Sequence, residues 1–161
     1  MNLAQYDFTI DRLGPAPRAT PMNAFQFSDD ADRILYHGDL ADVQAYFAQG
    51  QEPPSFEKAG PRRQIYFDPQ QTVCGIVTCG GICPGINDVI RALVLNLNYH
   101  YGVTEILGFR YGYEGLNPAF GHEPLRLTPA SVEGISTLGG TALGTSRGNQ
   151  DSFRVGVTKS S

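Results

Sequence analysis

Glycine runs flanked by hydroxyl groups and a single arginine are the residues whose types and spacing suit chemistry. Gly80-Gly81 follows the apolar run Val73, Ile76, Val77 and precedes a helical stripe that begins at Ile86. A bare backbone loop therefore sits over a helix N-terminus at the carboxyl end of a strand. Backbone N–H groups and the helix dipole favour an anion there, typically phosphate. A second run, Thr141-Ala142-Leu143-Gly144-Thr145-Ser146-Arg147-Gly148, offers the same chemistry. Its glycines allow close backbone approach, and Arg147 brings a fork of donors. Other chemistries are poorly supplied. Cys79 and Cys83 lack a fourth ligand for zinc and read as small residues packing a tight turn. His37, His100 and His122 are scattered and form no metal or nucleophile set with carboxylates or serines. There is no P-loop signature and no Gly-x-Gly-x-x-Gly after a strand.

The elements that must position these loops follow from periodicity. Val73 to Val77 reads as a buried parallel strand. Ile86, Val89, Ile90, Leu93, Val94 and Leu97 fall on one stripe of a helix running to Tyr99, with Pro84 in its first turn and Gly102 as its stop. Thr104 to Phe109 is a second strand, so the three elements make a right-handed βαβ unit. Arg110-Tyr111-Gly112-Tyr113-Glu114-Gly115 then lies at the same sheet edge as Gly80-Gly81, where such sheets bind ligands. Leu116 to Leu127 reads as a loop. Thr128-Pro129 predicts a cap and first turn for a helix with Val132, Ile135 and Leu138 on one face. Upstream, Met1 to Ala31 reads as an extended arm broken by Gly14-Pro15-Ala16-Pro17. Asp39 caps a helix over Leu40 to Gln49 with Leu40, Val43 and Phe47 on one face, and Gln64 to Phe67 is a short edge strand. Arg62-Arg63 reads either as a phosphate contact or as a solvated turn.

The chain has 161 residues, 41% hydrophobic, with 19 glycines, 11 prolines and a formal net charge of −4. The acidic balance argues against nucleic acid as a partner, which needs clustered Lys and Arg. No apolar run is long enough for a membrane span and no basic-then-apolar leader begins the chain, so a cytoplasmic location is expected. The residues alone predict a cytosolic α/β domain that binds a phosphorylated ligand.

Three segments, in order, carry a resemblance. Ile76 to Arg91, with its Cys-Gly-Gly-x-Cys-Pro-Gly-x-Asn-Asp core, resembles the first phosphate loop of the phosphofructokinases, in the long-form version of plants and some bacteria. Gly108 to Leu116 is similar to the family's second strand and loop, and Leu138 to Gly148 to its third marker. The resemblance covers about Phe56 to Arg147. It implies a partial Rossmann-like three-layer α/β sandwich with a parallel sheet over residues 72–161, preceded by an irregular and partly helical extension over 1–71. It also implies phosphoryl transfer to the 1-hydroxyl of fructose 6-phosphate from ATP or pyrophosphate, with bridging Mg²⁺, in a complete enzyme that is a homo-oligomer. By motif position, Gly81 approaches the donor phosphates, Tyr113 packs near the nucleotide, and Arg147 and Gly148 contact the donor. Arg91 matches an effector-binding position of short bacterial forms, but its companion four residues on is Leu95.

The family's Gly-Gly-Asp-Gly loop, which holds the metal, and its Thr-Ile-Asp-Asn-Asp loop, which holds the general base, are not among these 161 residues. No catalytic and no metal-ligating residue is therefore assigned. The expectation is an amino-terminal portion of the enzyme, inactive alone. The alternative is a non-catalytic nucleotide-binding or interaction fragment. A sugar or nucleoside kinase of another fold leaves the third marker unexplained.

Overall fold

A computed structural model describes residues 8–24 and 26–146. The chain divides into two units, Met1–Phe67 and Asp68–Ser161.

The first unit is built of ribbons. Strand β1 (Arg18–Ala19) pairs antiparallel with β4 (Gln64–Ile65), and β2 (Arg33–Leu35) with β3 (Ser55–Glu57). Helix α1 (Leu40–Ala48) stands between β2 and β3 in sequence. The Asp39 carboxylate accepts from the Ala41 N–H at 2.9 Å, the side-chain cap its position predicts. The arm expected over residues 1–31 is thus partly a sheet strand, with Thr20 N–H donating to Arg63 C=O. Among this unit's described residues only Ser28 is buried. Charge substitutes for an apolar core. Glu57 accepts from Arg12 at 2.9 Å and Arg62 at 2.8 Å, and Arg62 also meets Asp30 at 3.1 Å. Arg62 donates further to the carbonyls of Asp29 and Lys58. It is neither a free phosphate contact nor a solvated turn residue but the hub of an internal network. Phe8, Tyr36 and Phe56 form the unit's aromatic cluster.

The second unit holds the apolar core. Strand β5 (Val73–Val77) pairs in parallel with β6 (Glu105–Phe109), in the register Cys74↔Ile106 and Ile76↔Gly108. Helix α2 (Ile86–Tyr99) connects them, as its stripe predicts. Ile90 and Val94 of α2 join Ile76, Val103, Ile106, Leu127, Val132 and Leu143 in one buried cluster. The α2 helix ends where Gly102 turns left-handed, at φ 74°.

Four details differ from the sequence expectation. First, β6 also pairs antiparallel with β7 (Leu125–Arg126), within the segment read as loop, so the sheet is mixed rather than parallel. A two-residue strand has no periodicity to read. Second, the helix expected after Thr128 is two short 3-10 turns, Ala130–Val132 and Ile135–Thr137, on either side of Gly134. Val132 joins the core and Ile135 packs against it, but a spacing of three also fits 3-10 geometry. Third, Pro84 precedes the helix rather than opening it, because left-handed Gly85 is the N-cap. Fourth, helical elements cover one sheet face among the described residues. The other face leaves Val73 61% exposed and Val77 37% exposed. The architecture shown is a mixed α/β layer pair.

Candidate functional site

Strand β5 delivers its next residue, Thr78, to the sheet's carboxyl edge with its side chain buried. The Thr78 hydroxyl donates to the Gly144 carbonyl at 2.8 Å and lies 3.0 Å from the Thr141 hydroxyl. A hydroxyl has one proton, so Thr141 donates to Thr78 in that pair. Two residues on, the Gly80 carbonyl accepts from the Thr145 hydroxyl at 3.0 Å. In the first turn of α2, Asn87 is 3% exposed and uses both ends of its amide. Its Nδ2 donates to Leu138 C=O at 3.0 Å, and its Oδ1 accepts from the Ala142 N–H at 2.8 Å. These four side chains tie the glycine loop and helix start to the segment 138–145.

The third segment enters from β6. Tyr111 stands at its end with φ 59°, the one non-glycine residue with positive φ among those described. Its N–H donates to Leu143 C=O at 2.9 Å. Such a conformation costs a non-glycine residue about 1–3 kcal/mol, which the surrounding contacts must offset. Gly112 follows, buried, with φ 65°. A Cβ on Gly112 would come within 3.3 Å of both the Cys79 Cβ and the Thr78 carbonyl, and 3.4 Å of the Ser146 nitrogen. Only a residue without a side chain lets all three segments meet at that point.

Around this junction the loops are open. Gly81 is exposed, after left-handed Gly80 at φ 89°. Tyr113 is 43% exposed in a 3-10 turn, Gly112–Leu116. Arg147 and Gly148 lie outside the described residues. Gly85 gives α2 no side-chain cap, and the Ile86 N–H turns back to the Cys83 carbonyl at 3.2 Å. A hollow of about 390 Å³ lies against that turn, between Pro84–Gly85 and Leu138–Gly140. Asp88 brings a negative charge to the same turn. The first unit has a separate cavity of about 420 Å³ between Tyr36, Tyr46, Pro53 and Pro54, none of which belongs to the converging segments.

Cys79 and Cys83 are exposed free thiols, and burial pushes the Cys74 thiol above its ordinary value. A raised thiol is a poor nucleophile. Among the described residues no three His, Cys, Asp or Glu side chains gather to hold a metal ion. No described helix is long and apolar enough to cross a membrane. Sequence reasoning marked the loops but missed Thr78, Asn87 and Thr145 as their ties. The one signal for Asn87 in the sequence is its polar side chain beside the apolar stripe at the start of the helix.

Strand ends, helix N-terminus and returning loop put this unit in the class of α/β proteins whose loops gather at the carboxyl edge of parallel strands. Residues 73–160, just over half the chain, match the family model for phosphofructokinase. The chain belongs to the phosphofructokinase family. It is 45% identical over 147 residues to the ATP-dependent 6-phosphofructokinase of Amycolatopsis methanolica, covering 91% of this chain and 31% of that protein. Identity to the enzyme of the same name from Trypanosoma cruzi is 40% over 158 residues, or 95% of this chain and 33% of that one. The Entamoeba histolytica enzyme is 55% identical over 94 residues, 58% of this chain and 21% of its own. The chain spans about a third of the length of the first two relatives.

Proposed function

We propose that this chain forms the donor side of a 6-phosphofructokinase. In that role the loops at Thr78–Gly85, Arg110–Gly115 and Thr141–Gly148 cradle the phosphates of ATP, or of pyrophosphate. The full reaction passes the terminal phosphoryl group to fructose 6-phosphate. The observation that carries the reading is the convergence of all three family segments on Gly112, through ties from Thr78, Asn87 and Thr145. Names of the relatives favour ATP as donor.

Each residue has a physical part. Gly81 offers backbone N–H groups with no side chain to hold the phosphates away. Tyr113, exposed beside the junction, supplies an aromatic face for the nucleotide. Arg147 would neutralise charge as the phosphoryl group moves, and Gly148 would allow close approach. Mg²⁺ would supply charge neutralisation at the donor; among the described residues no three His, Cys, Asp or Glu side chains gather to hold it, so no metal ligand or general base is assigned among them. The finer fold we propose is a Rossmann-like three-layer sandwich from residue 72 onward, assembled as a homo-oligomer in the complete cytoplasmic enzyme.

Titration calorimetry tests this. The chain should bind MgATP or magnesium pyrophosphate, and a coupled assay should show no fructose 1,6-bisphosphate from the chain alone. Heat-silent titrations with both donors would overturn the reading. Nucleotide binding without turnover also fits a second reading, a nucleotide-binding chain that works through a partner. It is favoured by the intact donor-side loops, tied together by Thr78, Asn87 and Thr145.

A further inference from the structure

Three groups lie against the ring of Tyr111. The Arg110 guanidinium lies over it at 4.9 Å, and its Nη2 donates to the Tyr111 hydroxyl at 2.8 Å. The imidazole of His122 sits 4.8 Å away, centre to centre. Below it is Gly144, at φ 68°, where a Cβ would come within 2.8 Å of the ring. The Tyr111 N–H donates to the Leu143 carbonyl. Tyr111 therefore holds two members of the third marker, one by its N–H and one by its ring. Its left-handed backbone is what turns Gly112 into the junction. A strained conformation kept at such a place is stabilised by contacts on several sides and marks a working part.

We propose that Tyr111 is a positioning residue. It braces the second loop, which carries Tyr113, against the third, and so sets the affinity of these loops for the donor. The bracing rests on the contacts above. The effect on affinity rests in addition on the donor-site reading.

The test uses the whole chain as wild type, Tyr111→Gly, Tyr111→Asn and Tyr111→Phe. Glycine and asparagine tolerate the left-handed backbone, so they remove the ring without adding strain. Hydrogen exchange is followed on peptides over 141–146, with 73–77 and 86–99 as internal references, beside MgATP titration. Tyr111→Gly and Tyr111→Asn should speed exchange over 141–146 by about tenfold, with the reference peptides unchanged. They should weaken MgATP by about tenfold, whereas Tyr111→Phe, which keeps the ring, should match wild type in both. Unchanged exchange over 141–146, equal acceleration of the reference peptides, or a phenylalanine variant as impaired as glycine would each overturn the proposal. Should wild type bind neither MgATP nor magnesium pyrophosphate, the donor-site reading falls while the exchange pattern still decides the brace.

Discussion

Asn87 satisfies a carbonyl and an N–H fifty residues downstream with opposite ends of one amide. Asn87→Leu fits the apolar core but leaves both groups without their partner. Each lost hydrogen bond is worth about 0.5–1.5 kcal/mol, so the variant should lose about 1–3 kcal/mol in urea denaturation. Asn87→Asp keeps an acceptor for Ala142 but buries a carboxylate against the Leu138 carbonyl, so it should cost at least as much as Asn87→Leu. Gly108 offers a converse case. A Cβ there would lie 2.5 Å from Leu143 Cδ2 and 3.0 Å from Leu127 Cδ1. Gly108→Ala should therefore cost about 1–3 kcal/mol by overpacking, read as a lower urea midpoint. Little of this was legible in the sequence. The chemistry of Gly80-Gly81 can be read locally, because strand, turn and helix follow one another. The ties from Thr78 to Gly144 and from Asn87 to Ala142 span separations that no local spacing encodes. Nothing in Arg110-Tyr111-Gly112 announces that the tyrosine, not only the glycine, turns left-handed.

Elements were readable in proportion to their length. Helix α2 and strands β5 and β6 carry strong periods and core residues, and they stand where the pattern puts them. Short elements are decided by their neighbours. Strand β7 exists because β6 offers it an edge, and the 3-10 turns after Thr128 exist because Gly134 interrupts a helix. The first unit shows the same rule with charge. Arg62 was read as surface-facing since a single sequence does not say where Glu57 and Asp30 will be. The hydrogen bond from Arg62, with the charges of Arg12 and Arg62, holds the Glu57 carboxyl below its ordinary value of 4.5. A depressed carboxylate stabilises the fold fully above its unfolded pKa and loses that contribution as pH falls through the folded one. Below pH 4.5 the ribbons β1–β4 and β2–β3 should therefore loosen first. Proteolysis by pepsin at pH 3, compared with hydrogen exchange at pH 7, should find residues 8–67 opened and 73–109 protected. Glu57→Gln should already show the looser pattern at pH 7, with little further change on acidification.

For the whole molecule the governing fact is apolar surface without cover. Among the described residues, the sheet face opposite α2 presents Val73 and Val77, and α1 presents Leu40 and Phe47, 69% and 62% exposed, along the face its spacing predicts. The predicted period of α1 was correct, yet none of its residues is buried. A stripe in a sequence states what a helix is made to cover, not that the covering group is at hand. Exposed apolar side chains on either unit drive association in a chain on its own. The isolated chain should bind a hydrophobic dye and elute above its 17.5 kDa mass in light-scattering chromatography. Strand β5 has a second liability, since β6 is its one sheet neighbour and its other edge is unpaired among the described residues. Val73→Lys places a charge on both the uncovered face and that edge. It should shift elution toward the monomer and reduce dye binding. Leu40→Lys acts on the first unit alone. If Val73→Lys restores the monomer and Leu40→Lys does not, the association runs through the β5 face. If only Leu40→Lys does, the exposed stripe of α1 is the surface that sticks. The unfolding free energy in urea should move by less than about 0.5 kcal/mol in either variant, because neither side chain contributes to the buried cluster.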